Sequence, residues 1–310
     1  MATSVFISDN SIRAAIGKDR GAVLQVEGCY SAELEPGIVS GGVVRKPEEL
    51  NLAVAAFFSD IRLFDKAVRL AVDSAACVVR AATLPDLPGT KLRAVAENEI
   101  SDGIAGMGDP VVDHMVMGKP VQGSGVRVLI AAAERENLLA FKNAVLSAGK
   151  KVKVLDIGPG CAMRLIRRIP PLLEGDYVIV ALNGNDMVST LYLDGFYGFI
   201  ERVKLLERRG TPASAVEISR AIGHLTQFYA SQRLGGRLSA VYICGFEGEE
   251  TEYCPDMELS LGINVSELPE CPGIVSRYMY DNRISYGDYL YCLGGLTDPA
   301  RDGVMLEGNE

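Results

Sequence analysis

Residues 177–205 read YVIVALNGNDMVSTLYLDGFYGFIERVKL, and this stretch decides the fold prediction. It contains three apolar runs rich in β-branched and aromatic residues, Tyr177–Leu182, Val188–Leu193 and Phe196–Leu205. The first two runs are separated by an Asn-Gly-Asn-Asp turn. Asp194-Gly195, a dipeptide typical of hairpins, separates the second and third. The stretch therefore predicts three consecutive antiparallel strands.

The beginning of the chain repeats this order of elements. Val5–Ile7, Ile12–Gly17 and Ala22–Tyr30 are predicted strands. A helix begins at Pro47, because proline suits the first turn and the two glutamates after it complement the helix dipole. In the second half, a long helix likewise follows the three strands. The two halves therefore predict a duplicated α/β lobe, with Pro170-Pro171 at the boundary.

The rest of the first half predicts a smaller subdomain inserted at residues 76–156. Its expected elements are the strands Cys77–Ala81, Val111–Met117 and Val126–Ala132 and the helix Lys91–Ile100. The resulting domain prediction assigns residues 1–75 to the first lobe, 157–172 to its return and the link, 173–297 to the second lobe, and 298–310 to an acidic tail. Further helices are predicted at Pro159–Arg168 with a basic face, at Ile274–Tyr280 and at Ser285–Leu296.

Composition and charge restrict the class of protein. The 310 residues are 48% hydrophobic and 23% charged, which is an ordinary globular composition. A single core stops growing near about 250–300 residues, so two or more lobes are expected. The net charge is −9, and the chain from Gly245 to the end holds 14 acidic and three basic residues. Such a surface repels phosphate backbones, so no nucleic-acid partner is expected.

Membrane and metal signals are weak. No run of about 18 apolar residues predicts a membrane span. The N-terminus lacks the basic and apolar regions of a signal peptide. The seven cysteines form no Cys-x-x-Cys pair, and the isolated His114 and His224 are interpreted as packing or capping residues. No metal site is therefore expected.

Four segments carry a resemblance to a known family. They are EPGIVSGGVVRKPEEL at residues 35–50, LPDLP at 84–88, the stretch from Ala131-Ala132-Ala133-Glu134 to Val154-Leu155-Asp156-Ile157, and YLYCLGGL at 289–296. In the same order, they resemble segments of the PilM family of type IV pilus assembly proteins. The resemblance covers residues 3–297. It implies an α/β, actin-like fold with ribonuclease H-like duplicated lobes and a small inserted α+β subdomain in the first lobe.

The resemblance also indicates where a nucleotide would bind. Actin-like ATPases hold ATP through two Asp-x-Gly hairpins, and the first of these falls on Asp9, Asn10, Ser11 and Arg13. This loop contains no glycine. Asp9 is interpreted as a residue of a type I′ hairpin turn rather than as an organiser of Mg²⁺.

The second hairpin departs further from the family pattern. Ala181 stands where the family has its aspartate, and Asn183, Gly184 and Asn185 follow. The adenosine segment is Gly245 followed by a phenylalanine in place of a second glycine. These loops are predicted to be the remnant of a nucleotide cleft, with no catalytic residue and no cofactor expected. Binding of Mg·ATP, with or without hydrolysis, stays open as the alternative function.

The function implied by the resemblance is that of a scaffold. The family's partner is PilN, a membrane protein whose short cytoplasmic tail lies in a groove between the first lobe and its inserted subdomain. The protein is accordingly expected in the cytoplasm, held at the inner membrane by this partner and near other pilus components. Leu84, Leu87, Met115 and Met117 are candidates for lining the groove, and packing beneath the helix Lys91–Ile100 is their alternative role. The L-type component of a type II secretion system is a third possible identity.

Overall fold

The computed structural model describes residues 1–120, 123–232, 238–276 and 286–297. They divide into two compact units. The first unit contains residues from 1–168, 272–276 and 289–297, and the second contains residues from 169–271 and 286–288. The predicted second lobe, residues 173–297, is therefore corrected at its C-terminal end, because the chain returns to the first unit after residue 271. The predicted tail, residues 298–310, lies outside the described residues.

The elements of residues 1–168 are ten strands and four helices. The strands are β1 (Ala2–Ile7), β2 (Ser11–Asp19), β3 (Leu24–Glu33), β4 (Val39–Ser40), β5 (Val43–Val44), β6 (Ala67–Val72), β7 (Cys77–Leu84), β8 (Pro110–Gly118), β9 (Val126–Glu134) and β10 (Lys151–Ile157). The helices are α1 (Pro47–Asp60), α2 (Gly89–Ile100), α3 (Arg135–Ser147) and α4 (Gly158–Ile166).

The second unit and the final segments follow in chain order. The second unit contains β11 (Tyr177–Asn183), β12 (Asp186–Leu193), β13 (Phe196–Lys204), α5 (Pro212–Gln232), β14 (Ala240–Cys244), α6 (Cys254–Leu261) and β15 (Asn264–Ser266). The chain then adds β16 (Ile274–Ser276) and α7 (Leu290–Leu296) to the first unit.

The two main sheets share one topology. The first has the order β10-β6-β1-β2-β3-β16, and the second has the order β13-β12-β11-β14-β15. In each, three consecutive strands pair antiparallel, and two later strands run parallel to the first strand on its other side. The duplicated α/β lobe predicted from the order of elements is therefore present in the pairing of the strands.

Each main sheet buries an apolar face against helices. In the first unit, Leu50, Val54 and Phe57 of α1 enter the core at the helical spacing seen in the sequence, and α3 packs beside α1. In the second unit, α5 and α6 cover the sheet. Burial of apolar side chains between sheet and helices stabilises both units.

The inserted part is a separate three-stranded sheet with the order β7-β9-β8. Its apolar side chains pack against Leu92, Ala96 and Ile100 of α2. The predicted range 76–156 is too long, however. β10 pairs parallel with β6 in the six-stranded sheet, and α3 places Phe141 in the main core. The separate sheet therefore ends at Glu134.

Three predicted helices differ from the structure. All residues of α4 are buried, so the predicted basic face at Pro159–Arg168 does not exist there. The segment predicted as the helix Ile274–Tyr280 begins instead with β16, which pairs parallel with β3, and residues 277–280 lie outside the described residues. Of the predicted helix Ser285–Leu296, Ser285 lies outside the described residues, Tyr286–Tyr289 form a 3₁₀ turn, and Leu290–Leu296 form α7. Gly294 lets α7 approach α4, because a Cβ atom there would lie 1.9 Å from the Cys161 carbonyl oxygen.

Candidate functional site

The loop between β1 and β2 holds the first predicted nucleotide residues. The N–H of Ser8 donates to the carbonyl of Ser11 at 3.0 Å and closes the loop. Both carboxylate oxygens of Asp9 are engaged, since they accept the N–H groups of Gly41 at 2.6 Å and Gly42 at 2.9 Å. Asp9 thus anchors the turn between β4 and β5 to the loop.

The type I′ turn predicted at Asp9 is wrong. That turn needs a positive φ at both central residues, and neither Asp9 nor Asn10 has one. The carbonyl of Asn10 accepts the N–H of Leu34 at 2.9 Å. The hydroxyl groups of Ser8 and Ser11 lie 3.1 Å apart and are buried. Arg13 is half-buried on β2, opposite Phe6 of β1.

The second predicted loop joins β11 and β12. Asn183 pairs with Asp186, which leaves Gly184 and Asn185 as a two-residue turn. Gly184 has φ +56°, and a glycine at this first position is typical of a type II′ turn. Gly245 follows β14 with φ +83°, and a Cβ atom there would lie 2.1 Å from the Leu182 carbonyl oxygen. Only glycine therefore fits at position 245.

Arg209, which precedes α5, joins these two loops. Its guanidinium donates to the carbonyl of Gly184 at 2.6 Å and to that of Gly245 at 2.9 Å. Its Nε and Nη2 also donate to the two carboxylate oxygens of Glu250, with Nε at 2.7 Å from Oε1. The two side chains are only 5% and 2% exposed. This buried ion pair is the main polar cluster at this edge of the second sheet.

These contacts do not fit a phosphate site. Phosphate-binding loops present backbone N–H groups to the ligand. Here the carbonyl oxygens of Gly184 and Gly245 converge on a guanidinium, and the Glu250 carboxylate adds a negative charge beside them. Over the part of the chain that the structure describes, no cluster of three or more His, Cys, Asp or Glu side chains is placed to hold a metal ion.

A cavity of about 230 Å³ lies in the first unit, between the three-stranded sheet and the main lobe. Both sides contribute apolar residues to its lining. They are Val111 and Met115 of β8, Leu129, Ala131 and Ala133 of β9, Leu138 of α3, and Leu155 and Ile157 of β10. Several of these are partly exposed, so the cavity offers apolar surface to a ligand.

A buried ion pair forms the polar part of the cavity. Arg164 of α4 pairs with the carboxylate of Asp156, and its Nε donates to the Gly294 carbonyl at 3.2 Å. Asp156 also accepts the N–H of Ile157 at 2.7 Å. Gly160 leaves room for this carboxylate, since a Cβ atom there would lie 2.7 Å from Asp156 Oδ1. The charge of Arg164 is thereby compensated although its side chain is only 4% exposed.

His114 and Asp113 of β8 also line the cavity. The backbone N–H of His114 donates to the carboxylate of Asp113 at 2.8 Å. Burial lowers the pKa of His114, and the nearby Asp113 carboxylate only partly opposes this, so the imidazole is neutral at pH 7. Its Nδ1 is buried and has no hydrogen-bond partner among the described residues.

The four predicted partner-binding residues do not lie together. Met115 lines the cavity. Leu84 is buried in the core that packs against α2, and Leu87 packs against the same core, so their placement favours the alternative of core packing. Met117 is fully buried at an irregular step of β8 and does not line the cavity. A role in partner binding stays a prediction for these residues, and Met115 is the one of the four that lines the cavity.

Sequence reasoning missed the two ion pairs and the imidazole. Arg209 and Glu250 are 41 residues apart within charged runs, and no spacing marks them as partners. Asp156 and Arg164 are eight residues apart on two different elements, and sequence reasoning did not single them out. His114 was interpreted as a packing or capping residue because the two histidines of the chain are isolated from each other.

Comparisons with known proteins identify a family and solved structures that match this chain. A family model described as type IV pilus assembly protein PilM matches residues 4–189. A search of curated proteins found no match. A solved structure titled PilM-PilN type IV pilus biogenesis complex has 16% sequence identity and a TM-score of 0.77, and the match covers 96% of this chain and 99% of that chain.

Two more distant structures share the architecture. A Bacteroides thetaiotaomicron protein with an actin-like ATPase fold and unknown function has 9% identity and a TM-score of 0.53, with 94% and 95% of the two chains covered. The ethanolamine utilization protein EutJ from Carboxydothermus hydrogenoformans has 11% identity and a TM-score of 0.50, with 95% and 88% covered. The predicted actin-like fold is confirmed. None of the described helices is long and apolar enough to cross a membrane.

Proposed function

The chain belongs to the PilM family of type IV pilus assembly proteins, and on this premise we propose that it is a scaffold that holds the tail of a PilN-like inner-membrane protein. The tail binds as an extended peptide in the cavity between the three-stranded sheet and the main lobe. The protein works in the cytoplasm and reaches the inner membrane through this partner. It does so without hydrolysing ATP.

The observation that carries the proposal is the lining of the cavity. A peptide in extended conformation needs apolar pockets for alternate side chains and backbone groups to pair with. Met115, Leu138 and Leu155 supply apolar walls on three elements. β8 is an edge strand of its sheet, so one side of its backbone is open to another strand.

The size and polarity of the cavity favour a peptide over a cofactor. Small-molecule sites usually measure about 300–1,000 Å³, and this cavity of about 230 Å³ suits a few apolar side chains. His114 borders these apolar walls, and its neutral imidazole adds no charge to the cavity. Asp156 and Arg164 compensate each other's charge, make further hydrogen bonds to the backbone, and border the cavity.

Filling the cavity tests the proposal. Ala131 is half-buried on β9 and lines the cavity, so Ala131→Leu adds three carbon atoms to that space. We expect this variant to bind a labelled synthetic peptide of a PilN-like cytoplasmic tail at least about tenfold more weakly, a loss of about 1.4 kcal/mol. Fluorescence anisotropy measures the binding, and circular dichroism checks the fold.

Ala94→Leu is the matched control, because Ala94 is exposed on α2 and does not line the cavity. It is expected to bind the peptide as the unmodified protein does. If folded Ala131→Leu also binds normally, the peptide lies elsewhere. Met115→Ala gives a second measurement, since it enlarges the cavity and removes an apolar contact rather than blocking the space.

A further inference from the structure

Glu250 lies in an anion site built by the second unit itself. Its carboxylate accepts hydrogen bonds from Nε and Nη2 of Arg209 and from the backbone N–H groups of Gly210 at 2.7 Å and Glu247 at 2.8 Å. A guanidinium fork combined with backbone N–H groups is also the usual donor set for a phosphate or sulfate. A side chain of this chain therefore holds the position that a free oxyanion could take.

The same arginine connects two loops through their carbonyl groups. Of its five N–H donors, two are used by Glu250, one by Gly184 and one by Gly245. Gly184 belongs to the β11–β12 turn, and Gly245 follows β14. The family resemblance assigns both loops to a nucleotide, yet their carbonyl oxygens already have a cation of the protein as their partner.

We propose that the Arg209–Glu250 pair replaces a bound nucleotide as the group that joins these two loops of the second unit. The site formed by the Arg209 guanidinium and the N–H groups of Gly210 and Glu247 accepts a free oxyanion only after the Glu250 carboxylate is removed. This inference concerns the second unit and does not depend on the peptide cavity of the first.

The ionisation of Glu250 agrees with this role. Burial raises the pKa of its carboxyl group, but the hydrogen bonds from Arg209 and from the two backbone N–H groups outweigh burial and lower the pKa overall. The carboxylate is therefore charged at neutral pH. Removing one partner of a buried pair leaves the other charge uncompensated. This lowers the stability of the protein unless an ion from solution takes the vacated position.

Anion rescue of the full-length protein tests the proposal. Glu250→Ala is expected to lower the thermal midpoint by roughly 5–10 °C. Inorganic phosphate should restore part of this loss in a saturable way, whereas sodium chloride at the same ionic strength should not. The unmodified protein should gain no stability from Mg·ATP, or from phosphate beyond the effect of chloride. The double variant Arg209→Ala/Glu250→Ala should lose the rescue.

Glu249→Ala is the matched control. This neighbouring side chain is exposed and makes no capping hydrogen bond, so its loss should leave the midpoint nearly unchanged. Phosphate that stabilises Glu250→Ala no more than chloride does would overturn the proposal. So would a saturable stabilisation of the unmodified protein by Mg·ATP.

Glu250→Gln keeps the proposal testable if Glu250→Ala does not fold. The amide has the shape of the carboxylate but no charge, and it fills the site. We expect this variant to fold with a lower midpoint that phosphate does not raise. A midpoint equal to that of the unmodified protein would show that no internal anion is required there.

Discussion

Asp9 uses both carboxylate oxygens to bind the backbone of the turn between β4 and β5. Asp9→Ala should therefore lower the free energy of unfolding by about 1–3 kcal/mol, because two N–H groups lose a charged acceptor. Urea denaturation measures this loss. Asp9→Asn should lose less, since its amide oxygen can still accept one of the bonds. A full loss of stability with Asn, or none with Ala, would contradict this structural role.

Glu250 supports a prediction about pH. The pKa of its carboxyl group is lowered from 4.5 in the folded protein. Its contribution to stability is consequently present above pH 4.5 and is lost as the pH falls through the lower, folded value. The unfolding free energies of the unmodified protein and Glu250→Gln should therefore differ by a constant amount above about pH 5 and converge in more acid solution.

Glu249→Gln is the control for this pH experiment, because Glu249 is exposed and lies beside Glu250 in the sequence. Its difference from the unmodified protein should stay small across the same range. A gap between the unmodified protein and Glu250→Gln that does not change with pH would contradict the assignment of an ionised carboxylate.

Residue-level prediction succeeded where the cause is local. The hairpin at Asp194-Gly195 was predicted from its dipeptide, and both residues have the positive φ of a type I′ turn. The partners of Asp9 lie 32 and 33 residues away, and that of Glu250 lies 41 residues away. No short-range pattern encodes such contacts, so sequence reasoning could place these residues in loops but could not name their partners.

At the scale of elements, one error concerns element type, because the helix predicted at Ile274–Tyr280 begins with the strand β16, and the others concern pairing and exposure. β10 lies almost wholly within the range 76–156 predicted for the inserted subdomain but joins the main sheet, because an apolar strand does not reveal which sheet it joins. α4 was correctly predicted as a helix, but the exposed basic face predicted for it is wrong, because all of its residues are buried. Asp156 of β10 neutralises the charge of Arg164 on α4. Hydrophobic periodicity does not show that these two elements are in contact.

The packing of α7 against α4 supports a prediction at this scale. Gly294→Ala would place a Cβ atom 1.9 Å from a backbone oxygen of α4, so one helix must shift. Overpacking of this kind costs about 1–3 kcal/mol, and urea denaturation measures it. Gly89→Ala is the control, because it lies in α2 with nothing within 4 Å of the added atom. Equal stability of the two variants would contradict the close approach.

At the scale of the whole molecule, the order of elements was enough to predict the duplication. The same strand order occurs in both main sheets, with three antiparallel strands followed by two parallel ones. The return of the chain to the first unit was not predictable. β16 has three residues and α7 has seven, and neither segment indicates which of two similar lobes it will join.

Because the chain divides into two units, hydrogen exchange can show which unit binds the partner. All residues that line the peptide cavity belong to the first unit. A ligand that binds only the folded state stabilises the structure that contains its site. In hydrogen–deuterium exchange, a PilN-like tail peptide should therefore slow amide exchange in β8, β9, β10 and α4. It should leave exchange in β11, β12 and β14 unchanged.

Mg·ATP serves as the control ligand in the same exchange experiment. It is expected to protect neither set of strands, because Asp9 is committed to Gly41 and Gly42, and the Gly184 and Gly245 carbonyls to Arg209. Peptide protection confined to β11–β15 would move the partner site to the second unit and refute the cavity. Protection of the Gly184 and Gly245 loops by Mg·ATP would instead leave the cavity intact and refute the internal ion pair as a substitute for a nucleotide.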